Sequence, residues 1–332
     1  MYKHGLIAGK FFPLHRGHMH LIETAQEQCE RVTVFLIEGR DQKPDVQTRY
    51  KWLTESFPLL RALVVCDLFT NDDDPASSIQ WATYTKNILE GDAVDVVFSS
   101  EKYGSTWATA LGVEHVCVDL YRSYMPISGT EIRKNPFENW AYLSPAAKPF
   151  YAKNVLVVGA ESVGKSTLCK KLAQHFGTVF VPEYGRIYVE RQGSTDQTDH
   201  RVIFAEIINK TIKMRQVLTK EANRVILHDT DFYTSYLWYD EWGNDVNDGL
   251  GTMLRDKAIE DTEMYDLVLV LDHKNTTFVQ DGFREQNAQV RQRFTDELYS
   301  FHREQGFNVK MLCGTYEERE KQAIKHVEEL FG

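Results

Sequence analysis

The sequence predicts two α/β domains, each built on a doubly wound parallel sheet. Short apolar runs alternate with segments of helical spacing along the whole chain, a glycine-rich phosphate-binding loop lies near its middle, and a second strand-to-helix junction near its start carries two histidines. The length of 332 residues also suits about two domains of ordinary size. We therefore predict domains at residues 1–150 and 151–332.

Composition and charge limit the classes of protein and ligand. Hydrophobic residues at 42% and charged residues at 26% are typical of a soluble globular protein, and no stretch approaches the roughly 20 apolar residues that span a bilayer. The first residues lack a basic region followed by an apolar run, so a secretory signal is not expected. The formal net charge of −10 opposes binding to nucleic acid. We expect a cytoplasmic protein with small nucleotides as ligands and no membrane or nucleic-acid partner; a homo-oligomer is left open.

The cysteines indicate a reducing environment. Five of them, at positions 29, 66, 117, 169 and 313, are widely scattered and odd in number, with no C-x-x-C pair. This pattern favours reduced, buried, structural thiols over disulfides or zinc ligands.

In the first half, five apolar runs alternate with helical segments. The runs lie at 6–9, 32–37, 63–66, 94–98 and 115–118, and helical spacing is found at 19–31, 49–57 and 77–89. Such alternation is typical of a parallel sheet covered by helices on both faces. The polar stretch 71–75 is predicted to be a loop, whose acids are either solvated or a metal site.

The junction between the first run and the first helix carries the tetrad His15-x-Gly17-His18. Two imidazoles beside a glycine and a helix N-terminus can hydrogen-bond the oxygens of a phosphorus atom under attack, with no metal required. The alternative is a pair of surface histidines in a loop, and a zinc site would need further ligands at regular spacing.

A second polar helix start follows at 127–133. Ser128 is placed to cap a short helix, with Glu131 at the capping-box position. Hydroxyl groups at a helix start, followed by Arg133, suit a triphosphate. Arg122, which comes after Asp119, is a further phosphate candidate.

The glycine-rich segment near the middle of the chain fits the spacing G-x-x-x-x-G-K-[ST]. An apolar run at 155–158 precedes it and helical spacing at 168–176 follows, a context that a chance glycine-rich turn would lack. Backbone N–H groups would surround phosphate oxygens, Lys165 would neutralise the β- and γ-phosphates, and Ser166 would ligate Mg²⁺. The loop consists of Gly159, Ala160, Glu161, Ser162, Val163, Gly164, Lys165, Ser166 and Thr167.

The rest of the second half repeats the alternation. Apolar runs lie at 179–181, 225–231, 267–271 and 308–312, and helices are predicted at 200–222, around 291–293 and at 316–331. Residues 232–242 are rich in aromatic side chains, which either pack or face a ring of the ligand. The segment 244–251 is predicted to be a polar loop.

Two acids, Asp229 and Asp231, end the run at 225–231, which is expected beside the phosphate loop. They are predicted to divide two roles, Mg²⁺ ligation and activation of a hydroxyl nucleophile. Glu183, after the run at 179–181, competes for the second role. An acidic loop after a strand is the alternative.

The tetrad and the segment 127–133 resemble the H-x-G-H and I-S-x-T-x-I-R motifs of a nucleotidyltransferase superfamily. With the phosphate loop following, nearly the whole chain is similar to the NadR type of protein, which joins a nicotinamide mononucleotide adenylyltransferase to a ribosylnicotinamide kinase. The resemblance includes the connectors 135–140 and 148–151. Members that also act as repressors have an N-terminal helix-turn-helix, whereas here the first strand starts within six residues of Met1. A DNA-binding role is therefore not implied.

For the first half, the resemblance implies transfer of AMP from ATP to nicotinamide mononucleotide, assisted by Mg²⁺. His15 and His18 would stabilise the transferring α-phosphoryl group. ATP contacts would come from Gly9, Lys10, Phe11, Phe12, Ser128, Gly129, Thr130 and Arg133. Substrate contacts would come from Ser100, Tyr103 and Trp107, although the last two rings are as well suited to packing.

For the second half, it implies phosphorylation of nicotinamide riboside by ATP and Mg²⁺. The segment 280–284 and the helix after it resemble the family's lid, with Arg291 and Arg293 arriving over the γ-phosphate. A solvated charged helix is the alternative for these two arginines. Substrate contacts would come from Glu183, Arg186, Asp281 and Arg284.

Two other functions are left open by the sequence. An analogous fusion acting in coenzyme A synthesis would use a phosphopantetheine substrate instead. A nucleotide-sensing regulator would bind the same nucleotides but hardly turn them over.

Overall fold

The computed structural model describes residues 1–40, 42–67, 75–192, 199–274 and 288–332, without the side chains of Pro75 and Thr262. The chain forms two compact units, Met1–Phe150 and Tyr151–Gly332. The predicted loop at 71–74 lies outside the described residues, as do Asp281 and Arg284.

The first unit alternates strands and helices in the predicted way. Its strands are β1 (Tyr2–Gly9), β2 (Cys29–Glu38), β3 (Arg61–Cys66), β4 (Val96–Ser99) and β5 (Glu114–Cys117). Its helices are α1 (Arg16–Gln28), α2 (Val46–Ser56), α3 (Pro75–Leu89), α4 (Tyr103–Leu111) and α5 (Gly129–Lys134), followed by a 3₁₀ turn (Trp140–Tyr142) and by α6 (Lys148–Tyr151), which leads into the second unit.

The second unit repeats this plan. Its strands are β6 (Lys153–Gly159), β7 (Phe180–Val181), β8 (Val225–Asp229), β9 (Leu267–Leu271) and β10 (Val309–Leu312). Its helices are α7 (Lys165–Phe176), α8 (Tyr184–Gln192), α9 (His200–Leu218), α10 (Phe232–Glu241), α11 (Gly249–Glu260), α12 (Ala288–Glu304) and α13 (Tyr316–Glu328), with 3₁₀ turns at Thr219–Glu221, Asp261–Glu263 and Glu329–Phe331.

Both sheets are parallel, which confirms the predicted fold class. The strand orders are β3-β2-β1-β4-β5 and β10-β9-β6-β8-β7. Each chain path reverses direction beside the first strand of its unit, and ligands of open α/β sheets bind at the carboxyl ends of the strands at such a point. The histidine tetrad follows β1 and the phosphate loop follows β6, so both lie where the topology favours binding.

Burial explains why the central strands are apolar along their whole length. Leu6 and Ile7 in β1 are fully buried, as are residues 155–158 in β6. Helices cover both faces, so these strands show no alternation of polar and apolar residues. None of the helices in the described ranges is long and apolar enough to cross a membrane.

Several predicted boundaries were wrong for local reasons. The helix predicted to reach residue 31 ends at Gln28, because pairing of β1 with β2 begins at Cys29. Helix α11 starts inside the predicted loop at 244–251, since the Asp248 carboxylate accepts the N–H groups of Leu250 and Gly251. The run at 225–231 is a strand only to Asp229, because Thr230 adopts a left-handed conformation with φ of 73°. Helix α8 was not predicted.

The cysteines follow the prediction only in part. All five are free thiols, and Cys29 and Cys169 are buried as expected. The other three, Cys66, Cys117 and Cys313, are exposed. Cys66 and Cys117 end the two outermost strands of the first sheet, where little chain covers them.

Candidate active sites

A cavity of about 470 Å³ opens at the carboxyl ends of β1 and β4 in the first unit. The first-half residues that the sequence singled out all line it. They are Gly9, Lys10, Phe11, Phe12, His15, His18, Ser100, Tyr103, Trp107, Ser128, Gly129, Thr130 and Arg133. Segments far apart in the sequence therefore meet at one site because the parallel strands end at the same edge.

The two histidines of the tetrad are stacked against each other. Their ring centroids are 3.7 Å apart, with an angle of 24° between the rings. Nδ1 of His15 accepts the N–H of Gly17 at 3.1 Å, so the neutral ring carries its proton on Nε2. Nδ1 of His18 is buried and has no hydrogen-bond partner among the described residues. His15 thus keeps its Nε2–H for a ligand, whereas the His18 ring also hydrogen-bonds the Pro13 backbone.

These histidines are neutral at pH 7. Burial, aided by the positive charge of Arg122, lowers the pKa of His15 to about 4. Burial also holds the pKa of His18 well below its usual value, and the repulsion that two protonated rings at this distance would have adds to this effect. Neutral imidazoles can donate one hydrogen bond each to a phosphate oxygen, without adding a full positive charge.

The second polar helix start differs from the prediction in detail. The Ser128 hydroxyl caps α5, accepting the N–H of Glu131 and donating to its carboxylate at 2.6 Å, so it already has partners. Thr130 Oγ1 accepts from Arg133 Nη2 at 3.1 Å. The Arg133 guanidinium lies 4.4 Å from the centre of the Phe12 ring and donates to the Phe12 carbonyl. Arg133 thus joins the two segments that line the cavity.

Lys10 and Gly129 are also closely packed against other residues that line the cavity. The Lys10 ammonium lies 2.9 Å from the Asp67 carboxylate, a partner that the sequence analysis did not find. A Cβ atom on Gly129 would stand 2.5 Å from the Phe12 carbonyl oxygen, so a side chain there would push the two segments apart.

Tyr103 and Trp107 form part of the cavity wall. The Tyr103 hydroxyl donates to the Ala8 carbonyl at 2.7 Å, and Trp107 is only 3% exposed within an apolar cluster. The Trp107 indole N–H is buried without a partner in the described ranges. Both rings are packed, and their cavity faces are the part that a ligand would meet.

In the second unit, the phosphate loop has the backbone that the motif requires. Gly159 and Gly164 have φ of 151° and 94°, and Ser162 between them has φ of 59°. The Lys165 ammonium donates to the carbonyls of Gly159 and Ala160 at 3.0 and 2.9 Å, within the loop itself. Val163 is buried beneath the loop, and Ser166 and Thr167 belong to the first turn of α7.

The residues present fit a magnesium ion next to this loop. The Ser166 hydroxyl donates to the Asp229 carboxylate. Asp229 is 4% exposed, and its Oδ1 is buried without a partner among the described residues. Burial raises the pKa of this carboxyl, against the pull of the Lys165 charge. A hydroxyl and a carboxylate with a free oxygen are ligands that Mg²⁺ uses together with water and phosphate. The described ranges hold no cluster of three or more metal-ligating side chains.

Asp231 lies in a different environment from the one predicted. Its Oδ1 accepts from the backbone N–H and hydroxyl of Thr234 at 2.9 and 2.7 Å, so the residue caps α10. Its other oxygen lies 3.0 Å from Nε2 of His302 on α12. The left-handed turn at Thr230 sends the two acids in different directions. Asp231 therefore already has partners on both of its oxygens, which favours a structural role for it over the predicted catalytic one.

Glu183 is the acid that joins Asp229 instead. It follows β7, the neighbour of β8, and feels the charges of Lys165, Asp229 and Arg186. Burial raises its pKa to about 7. Arg186 on α8 acts on both acids and lies 3.0 Å from Glu190.

The two arginines of the predicted lid separate. Arg291 interacts electrostatically with Glu161 of the phosphate loop and with Tyr316. Arg293, two residues further along, lies on another face of α12, where it donates to Glu241 at 2.5 Å. Of the two arginines, Arg291 is thus the one near the phosphate loop, and the contacts of Arg293 favour the charged-helix alternative for that residue.

Two family models match the chain, one in each unit. A model described as cytidylyltransferase-like matches residues 6–135, and one described as an AAA domain matches residues 154–319. Among curated relatives, the trifunctional NAD biosynthesis/regulator protein NadR of Escherichia coli K12 is 30% identical over 349 aligned residues, gaps included. The match covers 99% of this chain and 83% of that protein. The chain belongs to the NadR family.

Further similarities extend over the whole chain. The NadR protein of Salmonella typhimurium LT2 is also 30% identical, with the same shares covered. A crystal structure of a NadR protein in complex with NR has a TM-score of 0.80 at 22% identity, over 99% of this chain and 96% of that one. A second NadR structure, in complex with NAD and AMP-PNP, has a TM-score of 0.79 at 21% identity, over 100% and 97%. At these identities the two structures support the fold.

In this NadR family member, sequence reasoning missed residues that lack a local motif. Tyr316 lies against the phosphate loop, since a Cβ atom on Gly164 would be 2.5 Å from its ring. Arg319, almost fully buried, donates to the carbonyls of Val163 and Lys274 at 3.3 and 2.8 Å and so braces the loop from α13. Both lie on a helix whose other residues are mostly charged, and no spacing distinguished them.

Proposed function

We propose that this chain makes NAD in two steps from nicotinamide riboside. The second unit phosphorylates the riboside with ATP, and the first unit transfers AMP from a second ATP to the resulting nicotinamide mononucleotide, releasing pyrophosphate. Two separate polyphosphate sites in one NadR family chain are the observation that carries this proposal: the paired histidines after β1 and the phosphate loop after β6. We also expect the enzyme to work in the cytoplasm.

In the first unit, placement and hydrogen bonding do most of the work. A phosphate oxygen of the mononucleotide attacks the α-phosphorus of ATP in line with the departing pyrophosphate. His15 and His18 are neutral and buried, so they donate hydrogen bonds to oxygens whose charge grows in the transition state. Lys10 and Arg133, at the cavity wall, balance phosphate charge.

In the second unit, Glu183 is the general base that we assign. The riboside 5′-hydroxyl attacks the γ-phosphorus, its proton passes to Glu183, and ADP leaves. The contacts of Asp231 with Thr234 and His302, and the contact of Asp229 with Ser166, support Glu183 over these two acids. A base with a pKa of about 7 is well matched to proton transfer at neutral pH.

Magnesium would be held by Ser166 and Asp229. When bound there, Mg²⁺ would neutralise part of the charge of the phosphates. Lys165 turns from the loop carbonyls to the phosphates, and Arg291 adds positive charge from α12.

One assay tests the whole proposal. The chain is supplied with nicotinamide riboside, ATP and Mg²⁺, and the products are separated by chromatography over time. We expect the mononucleotide to appear first and NAD to follow. The absence of both products, with folded protein and bound ATP, would overturn the proposal in favour of a nucleotide-binding regulator.

A further inference from the structure

The segment between β5 and α5 contains a tight turn, residues 119–125, that borders the cavity of the first unit. Asp119 and Arg122 have φ of 54° and 51°, in the left-handed region that residues with side chains rarely adopt. Each left-handed residue lowers the stability of the folded protein, so two of them three positions apart need contacts that compensate.

The Asp119 carboxylate provides those contacts. It accepts the backbone N–H groups of Tyr124, at 3.1 Å, and Met125, at 2.8 Å. The N–H of Arg122 donates to the Asp119 carbonyl at 2.9 Å, which closes the turn. These backbone hydrogen bonds hold the pKa of the Asp119 carboxyl below its usual value, so it is ionised at neutral pH. The turn is therefore ordered around one carboxylate.

The turn presents Arg122 to the paired histidines. Arg122 lines the same cavity as His15 and His18, and its positive charge lowers the pKa of both. Its ion-pair partner, Glu101, is 3.7 Å away, and both side chains are about half exposed, so the pair is loose. Since both histidines are neutral, Arg122 supplies a permanent positive charge beside them.

We propose that Arg122 is a phosphate-binding residue of the adenylyl-transfer site and that Asp119 positions it through the 119–125 turn. This inference rests on the proposed function of the first unit. A guanidinium group matches two phosphate oxygens at once and stays charged, whereas the neutral histidines donate single hydrogen bonds. In this arrangement the turn fixes the direction of Arg122 before ATP binds, so less conformational freedom is lost on binding.

The first test removes the positive charge of Arg122. Nicotinamide mononucleotide is supplied directly with ATP and Mg²⁺, so that NAD formation does not need the kinase. We expect Arg122→Gln to lower kcat/KM for ATP about 100-fold, as loss of a charge-assisted contact does, and Arg122→Lys to retain part of it. Riboside phosphorylation by the same variants should be unchanged. Arg61→Gln is the matched control, since Arg61 is similarly exposed and pairs with Asp92 outside the cavity lining.

The second test asks whether Asp119 acts through Arg122. We expect Asp119→Asn alone to lower kcat/KM about tenfold, and to have less than a twofold further effect in the Arg122→Gln background, because coupled residues are not additive. Equal effects in both backgrounds, or an Arg122→Gln variant with normal kinetics, would overturn the inference. If wild-type protein makes no NAD from the mononucleotide, the proposed function fails instead, and the two failures are thereby distinguished.

Discussion

At the level of single residues, two acids that are close in the sequence have different surroundings because the chain turns between them. Asp229 ends β8 beside the phosphate loop, and Asp231, two positions later, caps α10 and contacts His302. The sequence shows both acids at the right place for a kinase site, but only the left-handed turn at Thr230 separates them. Because this turn directs Asp231 away from the phosphate loop, we assign the role of general base to Glu183.

The change Glu183→Gln tests that assignment. We expect riboside phosphorylation to fall by at least about 100-fold, since a general base contributes that much, while adenylyl transfer from supplied mononucleotide is unaffected. The two rates are measured in separate assays on the same variant. Glu260→Gln, which alters an exposed acid that pairs with Lys257 on α11, serves as the control. Full kinase activity in Glu183→Gln would return the role to Asp229.

At the level of elements, the junction between β6 and α7 is held by close packing as well as by its motif. Gly164 needs a positive φ, and the Tyr316 ring of α13 occupies the space that a side chain would take. The loop conformation is therefore fixed from both sides, by its own backbone and by a helix from the end of the chain.

We expect Gly164→Ala to abolish riboside phosphorylation, because a φ of 94° strains a residue with a side chain and the added methyl group would also stand 2.5 Å from the Tyr316 ring, which would have to move. Gly243→Ala is the matched control: Gly243 also has a positive φ, of 77°, but a Cβ atom there meets nothing within 4 Å. That variant should lose about 1 kcal/mol of stability and keep its activity. Similar kinase rates in the two variants would contradict the role given to Tyr316.

A buried pair joins α10 to α12. Asp231 and His302 are 4% and 1% exposed, and their side chains are 3.0 Å apart. Although burial opposes both charges, the contact raises the pKa of His302 above 6.5 and, with the Thr234 hydrogen bonds, lowers that of Asp231 below 3.8. At pH values between the two shifted pKa values, the pair is thus charged in the folded protein. It fixes α12, the helix that carries Arg291 towards the phosphate loop.

The pKa directions set the pH dependence of this pair. Its contribution is complete between pH 3.8 and 6.5, and it is lost as the pH rises through the folded-state pKa of His302. We expect Asp231→Asn to destabilise the second unit by about 3–5 kcal/mol near pH 6, and by less at pH 8. Denaturant unfolding at both pH values measures this difference. Lys171→Gln, which breaks a surface pair with Glu320, should cost under about 1 kcal/mol at either pH.

At the level of the whole molecule, the two sites should fail independently. With nicotinamide riboside as substrate, we expect His18→Ala to accumulate the mononucleotide and make no NAD, because the first unit alone is impaired. Lys165→Ala should leave the riboside untouched and still convert supplied mononucleotide to NAD. Product analysis by chromatography distinguishes these patterns.

Mixing the two variants provides the control for that experiment. An equal mixture should again form NAD from the riboside, since one variant supplies the intermediate that the other consumes. If either substitution removed both activities in a folded protein, the two units would not be independent catalysts.

The sequence by itself determined the fold class and the position of the two motifs that we propose bind phosphate. Strands buried on both faces appear in the sequence as continuous apolar runs. The glycine and histidine motifs each span only a few residues directly after such a run, so they can be recognised from the sequence. For this reason the tetrad, the phosphate loop and the Ser128 cap could all be found without a structure.

Only the tertiary structure decided which side chains share a site and which merely pack. The partners of Lys10, Gly164 and Asp231 come from residues 57, 152 and 71 positions away along the chain. Such contacts depend on how parallel strands and helices are stacked, and no periodicity records them. The same holds for the pKa of His15, because burial in the folded cavity, and not the motif, makes the ring neutral.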